Sequence, residues 1–145
     1  MKKPLQMLFD AFLALLQTDE WEYWGEDEMN QDFCMLANAA RPLFKFPRCN
    51  LDWHTCDQEF VDERIGNAEI QVWANYMKCI WYTRVIDSWE NLRPLYTERD
   101  FSPAKQLSEF RQRNDQQMKL AQKIEANYYR SINGKPFKYS KLAGD

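Results

Sequence analysis

The sequence predicts an all-α, single-domain bundle of four main helices plus one short helix. Three observations carry the prediction: 145 residues hold only four Gly and six Pro, hydrophobic residues recur at helical spacing over long stretches, and one central stretch is apolar on nearly every side. So few turn-forming residues cannot serve an all-β chain of many short strands. A chain of this length buries roughly 70% of the surface its unfolded form would expose, so one core is expected. No internal repeat or extended low-complexity tract divides it, and residues 1–145 read as one helical domain ending in a basic aromatic tail over 133–145. Hydrophobic residues at 45% and charged residues at 28% give an ordinary globular balance, to which six Trp, nine Phe and seven Tyr add packing area.

Each element has its own warrant. Leu5, Leu8, Phe9, Phe12, Leu15 and Leu16 recur at helical spacing, with Pro4 placed where a first-turn proline does no harm. The start Met1-Lys2-Lys3 ahead of this run superficially resembles a secretory signal, but Gln6 and Asp10 interrupt the run and no small-x-small cleavage site follows. The segment therefore reads as a helix rather than an address. A second helix is expected from about Asp27 to Ala40, with Met29, Phe33, Leu36, Ala37 and Ala40 on one face and acids in the first turn, where the helix dipole favours them. Pro42 ends it. Residues 42–54 are too proline-rich for a helix and too irregular for a paired strand, so they form a loop carrying its own hydrophobes, Phe44, Phe46 and Trp53 among them. Thr55 with Gln58 spells a capping box, which predicts the short helix, burying Phe60, Val61 and Ile65 and closed by Gly66-Asn67.

The central helix is placed over 68–92, capped by Asn67 and closed by Pro94. Ile70, Trp73, Ala74, Met77, Ile80, Trp81 and Val85 form one face, while Val72, Tyr76, Cys79, Tyr82 and Ile86 cover much of the other. A helix apolar nearly all round belongs in the middle, and Arg84 and Asp87, falling among its apolar residues, need partners or a solvent edge. Ser102-Pro103 is a cap followed by a first-turn proline and opens the long C-terminal helix, placed over 103–132 before Asn133-Gly134 supplies a left-handed stop. Its stripe, Leu107, Phe110, Met118, Ala121, Ile124 and Tyr128, is narrow and is interrupted by Asn114.

Charge is unevenly spread. Residues 1–40 carry a net −6, residues 41–100 a net −2 and residues 101–145 a net +5, within a chain of net −3. No basic residue stands between Lys3 and Arg41, whereas Arg130, Lys135, Lys138 and Lys141 interleave with Tyr128, Tyr129, Phe137 and Tyr139. No stretch approaches the roughly 18 apolar residues of a membrane span. The even count of four Cys comes without a signal peptide or an Asn-x-Ser/Thr sequon, which predicts reduced thiols and a cytoplasmic setting.

Most catalytic signatures are absent. There is no Gly-x-Gly-x-x-Gly, no phosphate-cradling loop, no His-Glu-x-x-His and no Gly-x-Ser-x-Gly, and His54 is the only histidine. Cys49, His54 and Cys56 are chemically suited to zinc, but six residues between the cysteines depart from zinc-knuckle spacing, and the expectation is no metal and no cofactor. Glu59, Asp62 and Glu63 at i, i+3, i+4 on the short helix would suit Mg²⁺, as in all-α nucleotide hydrolases; a solvated acidic face explains them as well. What remains is a small, non-catalytic protein-interaction module, an adaptor, immunity factor or inhibitor that binds a larger protein. Its candidate contacts are Trp21, Tyr23 and Trp24 in the acidic stretch, Phe44, Phe46 and Trp53 in the loop, and Tyr128, Tyr129, Arg130, Lys135, Lys138 and Tyr139 at the basic end. Two other partners suit the pattern: nucleic acid on the basic aromatic end, and a second copy that pairs acidic with basic segments in a homodimer.

Overall fold

The computed structural model describes residues 3–16, 18, 20–92, 103–132 and 135–136. The chain is mostly helical, with α1 (Gln6–Ala14), α2 (Glu26–Ala40), α3 (Asn67–Leu92) and α4 (Pro103–Tyr129). A 3-10 turn, Arg41–Leu43, ends α2 at Pro42. Two small antiparallel pairs complete the described residues: β1 (Trp53–His54) with β2 (Glu59–Phe60), and β3 (Ser131–Ile132) with β4 (Lys135–Pro136).

The all-round apolar pattern of residues 68–92 has the consequence it predicts. Six consecutive residues, Val72, Trp73, Ala74, Asn75, Tyr76 and Met77, are buried, which a helix achieves only when neighbours cover every side. α1, α2 and α4 all pack against α3. Between α1 and α2 lies an aromatic knot in which the Phe33 ring meets Phe9, Phe12 and Trp21 at centroid distances of 5.0, 5.9 and 5.2 Å. On α3 the Trp73 ring meets Trp53 and Phe60, each at 5.9 Å, and its indole N–H donates to the Ala37 carbonyl of α2 at 2.9 Å. That bond satisfies the one polar atom of a fully buried tryptophan.

The expected face of α2 is the observed one, with Phe33, Leu36, Ala37 and Ala40 buried. Asp32 is buried too, and Arg84 explains it: the guanidinium reaches from α3 to both carboxyl oxygens of Asp32 and to Glu20. Asp87 stays at a solvent edge.

The segment over 42–54, expected as a loop without a paired strand, ends in one, because Trp53 and His54 find an antiparallel partner in Glu59–Phe60 across a tight turn. Two expected helical elements are corrected as well. The short helix after Thr55 does not form. Residues 55–58 instead make the turn that joins β1 to β2, in which Gln58 takes a left-handed φ of 53° that a continuing helix forbids. Tertiary pairing outcompetes the capping box. The N-terminal segment lies alongside β2, with the Leu5 N–H donating to the Gln58 carbonyl at 2.8 Å, the Phe60 N–H donating to the Lys3 carbonyl at 2.8 Å and a bridge between Pro4 and Glu59. A helix of one or two turns has no comparable source of stability. Phe60 and Ile65 are buried as expected, but Val61 is exposed. The second correction is the end of α4, at Tyr129 rather than residue 132. Ser131 and Ile132 pair with Pro136 and Lys135, using the backbone groups another helical turn would have needed. Asn133 and Gly134, read as a helix stop, lie outside the described residues, as does most of the tail over 133–145.

Along α4 the positions Leu107, Phe110, Asn114, Gln117, Ala121, Glu125 and Tyr128 form the seam toward α3, spaced alternately by three and four residues with one drift. Its polar members reach partners across the interface, although the buried Asn114 Oδ1 accepts no hydrogen bond from the described residues. Gln117 donates to Asn75, Tyr76 donates to Glu125, and Asn114 donates to the Thr83 hydroxyl. Among the described residues no helix is long and apolar enough to cross a membrane.

Because three rings close on Phe33, Phe33→Ala is expected to destabilise the protein by about 3–5 kcal/mol. Equilibrium urea unfolding followed by circular dichroism measures this, with Met35→Ala on the exposed face of the same helix as the near-neutral reference; equal losses for the two would contradict the packing described.

Candidate interaction surfaces

The residues proposed from sequence as contacts divide cleanly by burial. Trp21 is 6% exposed and belongs to the aromatic knot, where its indole N–H donates to Asp32 at 2.7 Å. Phe44 and Tyr128 are buried against each other, ring centroids 5.2 Å apart. Trp53 is half-buried on Trp73, with the Arg41 guanidinium 5.9 Å from its ring. These four serve the core. Tyr23, Trp24, Phe46, Tyr129 and Arg130 are exposed, with Tyr23 at 92% and Phe46 at 71%. Lys138, Tyr139 and the Lys135 side chain lie outside the described residues.

The exposed residues sit on two supported platforms. The first is the turn ahead of α2. It is closed by the Trp24 N–H donating to the Trp21 carbonyl at 3.1 Å, and anchored by Trp21 on Asp32 and by the Trp81 indole N–H donating to Glu20 at 2.7 Å. Tyr23 and Trp24 are thereby held at a fixed apex. Around them Glu22, Glu26, Asp27 and Glu28 are all exposed.

The second platform is the loop over 44–50, which lacks secondary structure and so must find partners for its main-chain donors elsewhere. Side chains of α4 supply them. The Lys45 N–H donates to Glu125 at 3.2 Å, the Phe46 N–H to the Tyr129 hydroxyl at 3.1 Å, and the Arg48 N–H to the Tyr128 hydroxyl at 2.8 Å. Pro47, between them, has no N–H to satisfy. The Arg48 side chain grips the same helix end, donating to the Tyr128 carbonyl at 2.6 Å with its guanidinium 4.5 Å from the Tyr128 ring. The tyrosines in turn donate inward: Tyr128 to Glu69 at 3.1 Å, and Tyr129 and Tyr76 to Glu125, each at 2.7 Å. Outside this lattice the Phe46 ring rests edge-on against Tyr129 at 6.1 Å.

Burial pushes the Tyr128 phenol up to about 12, with the Glu69 charge adding to the rise and the Arg48 N–H opposing it. Tyr76 and Tyr129 are raised by burial and by their hydrogen bonds to Glu125.

The chemical alternatives fare differently. Cys49 is buried, and burial reinforced by the Glu69 charge pushes its thiol up to about 11; His54 and Cys56 are exposed on the β1–β2 hairpin. All four cysteines are free thiols, and among the described residues no three His, Cys, Asp or Glu side chains converge as metal ligands. Glu59, Asp62 and Glu63 do not share a helix face, because Glu59 lies in β2 and Asp62 in the turn beyond it. Asp62 accepts hydrogen bonds from the Arg64 side chain and from the Asn50 and Arg64 N–H groups, which hold its carboxyl well below the usual range. A cleft of about 730 Å³ opens at the start of α3 beside Arg48, Arg64 and Tyr128, but the Glu69 carboxyl stands there and accepts the Gly66 N–H at 3.0 Å, and Arg64 is committed to Asp62.

Comparison with protein-family models, with curated proteins and with solved structures returned no match.

Glu125→Ala strips the acceptor from two phenols and one main-chain N–H, and is expected to cost about 3 kcal/mol in urea unfolding, with Glu125→Gln losing less. Alkaline pH acts on the same lattice. A phenol held near 12 in the folded state and near 10 when unfolded leaves stability intact below pH of about 10. Stability is then lost as pH rises through about 12, because the unfolded chain releases protons that the folded one retains. The buried Cys49 and Cys79 thiols, each raised to about 11, act in the same direction. Urea midpoints measured across this range, together with phenolate absorbance, check the sign; a midpoint that rises above pH of about 10 contradicts it.

Proposed function

We propose that this chain is a small, non-catalytic interaction protein, an adaptor or inhibitor that occupies a surface on a larger protein through the loop over 44–50. The single observation that supports this reading most is Phe46, 71% exposed, on a loop whose successive main-chain donors at Lys45, Phe46 and Arg48 are all held by α4 side chains. A large aromatic in water is otherwise a waste of burial. On a rigid support it is an anchor whose ordering cost has been met before the partner arrives. Tyr129 extends the apolar contact, and exposed Lys45 and Arg130 rim it with positive charge. Four free thiols fit a cytoplasmic place of work.

A second reading, a nucleic-acid accessory protein, draws on the exposed side of α4, which carries Arg111, Arg113, Lys119, Lys123 and Arg130 against Glu109 and Asp115. The chain's pI of about 5.3 weighs against it, since most of the remaining surface repels a polyanion.

Affinity capture from the native host, with and without nuclease, tests both. A stoichiometric protein partner that survives nuclease and is lost with Phe46→Ala supports the first reading; nucleic acid as the captured species supports the second. With the partner in hand, Phe46→Ala is expected to weaken binding by about 2 kcal/mol, roughly thirtyfold, in calorimetry. Folding stability should change by less than about 1 kcal/mol.

A further inference from the structure

A groove of about 650 Å³ runs between the end of α1, the outer side of α3 and the first turns of α4. Leu15, Leu16, Trp81, Tyr82, Val85 and Phe110 give it apolar walls. Lys78 and Arg113 stand beside two of those rings, 5.7 Å from Tyr82 and 5.8 Å from Phe110, and neither has a carboxylate partner among the described residues. Among the described residues of the groove wall the one acid, Glu20, is committed to Trp81 and Arg84. In a chain of net −3 this is an aromatic slot whose two cations are paired with no carboxylate of the described residues. It calls for an occupant that is aromatic and acidic.

Such an occupant is present on the same surface. The turn Trp21–Gly25 presents Tyr23 at 92% and Trp24 at 39% exposure, flanked by exposed Glu22, Glu26, Asp27 and Glu28, and no basic residue occurs between Lys3 and Arg41. It does not enter its own groove, because the bonds of Trp21 to Asp32 and of Trp81 to Glu20 fix it beside that groove. We propose that the Tyr23-Trp24 turn of one copy docks in the Lys78–Arg113 groove of a second copy, and reciprocally.

The adjacency of donor and acceptor decides the symmetry. Thr18 and Glu20 line the groove and Trp21 begins the turn, so turn and groove form one continuous patch. A patch that carries both halves of a contact can close on itself about a two-fold axis, whereas halves on opposite sides of a molecule generate rings or open chains. The contact joins apolar insertion to facing charges at the rim, so it weakens as salt rises. The loop over 44–50 is not part of it, and the dimer stands or falls independently of the function proposed above.

Sedimentation velocity on the full chain tests the proposal with two charge-reversed variants, K78E/R113E and E22K/D27K, each checked by circular dichroism for native helicity. The wild type is expected to dimerise at protein concentrations of about 100 µM in low salt, with the dissociation constant rising at least about tenfold in high salt. Each variant alone should sediment as a monomer, and an equimolar mixture of the two should recover a dimer, because one reversed groove then faces one reversed turn. Three results overturn the proposal: a wild type that stays monomeric at about 1 mM in low salt, a dimer that persists in both variants and so uses another face, or variants that lose the dimer and do not recover it on mixing.

Discussion

The rest of this structure depends on α3 having to be covered from every direction. With Val72 to Met77 buried in an unbroken run, no single neighbour suffices, because successive side chains of a helix point about 100° apart. α1, α2 and the turn ahead of α2 cover part of the circumference, knotted together by the Phe9, Phe12, Phe33 and Trp21 rings, α4 covers another part, and the β1–β2 hairpin brings Trp53 and Phe60 onto Trp73. Small elements with no stability of their own persist here because each closes one sector around the same rod. Most of their apolar side chains are consumed in doing so, and the large hydrophobics left exposed among the described residues are few: Tyr23, Trp24 and Phe46 at turns and loop tips, Tyr129 at the end of α4, and Met35, Val61 and Leu120.

The two halves of the sheath are held differently. Toward α1 and α2 the contact is largely aromatic, with Arg84, Asp32 and Trp21 forming one polar group within it and the Trp73 indole bonded to the Ala37 carbonyl. Toward α4 the seam is polar at intervals: Glu69, Tyr76 and Thr83 recur every seven residues on α3, and their partners are Tyr128, Glu125 and Asn114. Polar pairs of this kind, two of them buried, add little net stability compared with apolar packing, but a shift of α4 by one turn would leave all three unpaired at once. Apolar contact supplies the attraction, and the polar pairs set the register.

Much of this was legible from the residues. The periodicity that placed the central helix, the proline that ends α2, and Pro103, with which α4 begins, act through local sterics, which a sequence displays directly. The failures came where a distant segment altered the outcome. The capping box of Thr55 and Gln58 is locally sound, yet the main chain of residues 3–5 is the better partner, and nothing near residue 55 reveals it. Asn114 reads as an interruption of a hydrophobic stripe because its partner, Thr83, is 31 positions away. Among the surface candidates, composition singled out Trp21, Tyr23 and Trp24 together but could not separate the buried one from the others; that division follows from Asp32, whose burial next to Arg84 creates an acceptor for one indole only. Arg48, which secures the loop to α4, left no signal in the sequence beyond being basic.

The loop over 44–50 is supported through its amide hydrogens and not through the side chains at positions 45 and 46. Lys45 and Phe46 could therefore be exchanged for residues of different size and charge while Glu125, Tyr128 and Tyr129 continued to hold the same path of the chain. Selection for a new binding partner could then act on two adjacent codons without disturbing the scaffold. In that respect the loop resembles the hypervariable tip of a recognition protein, where rigidity resides in the frame and diversity in what the frame displays.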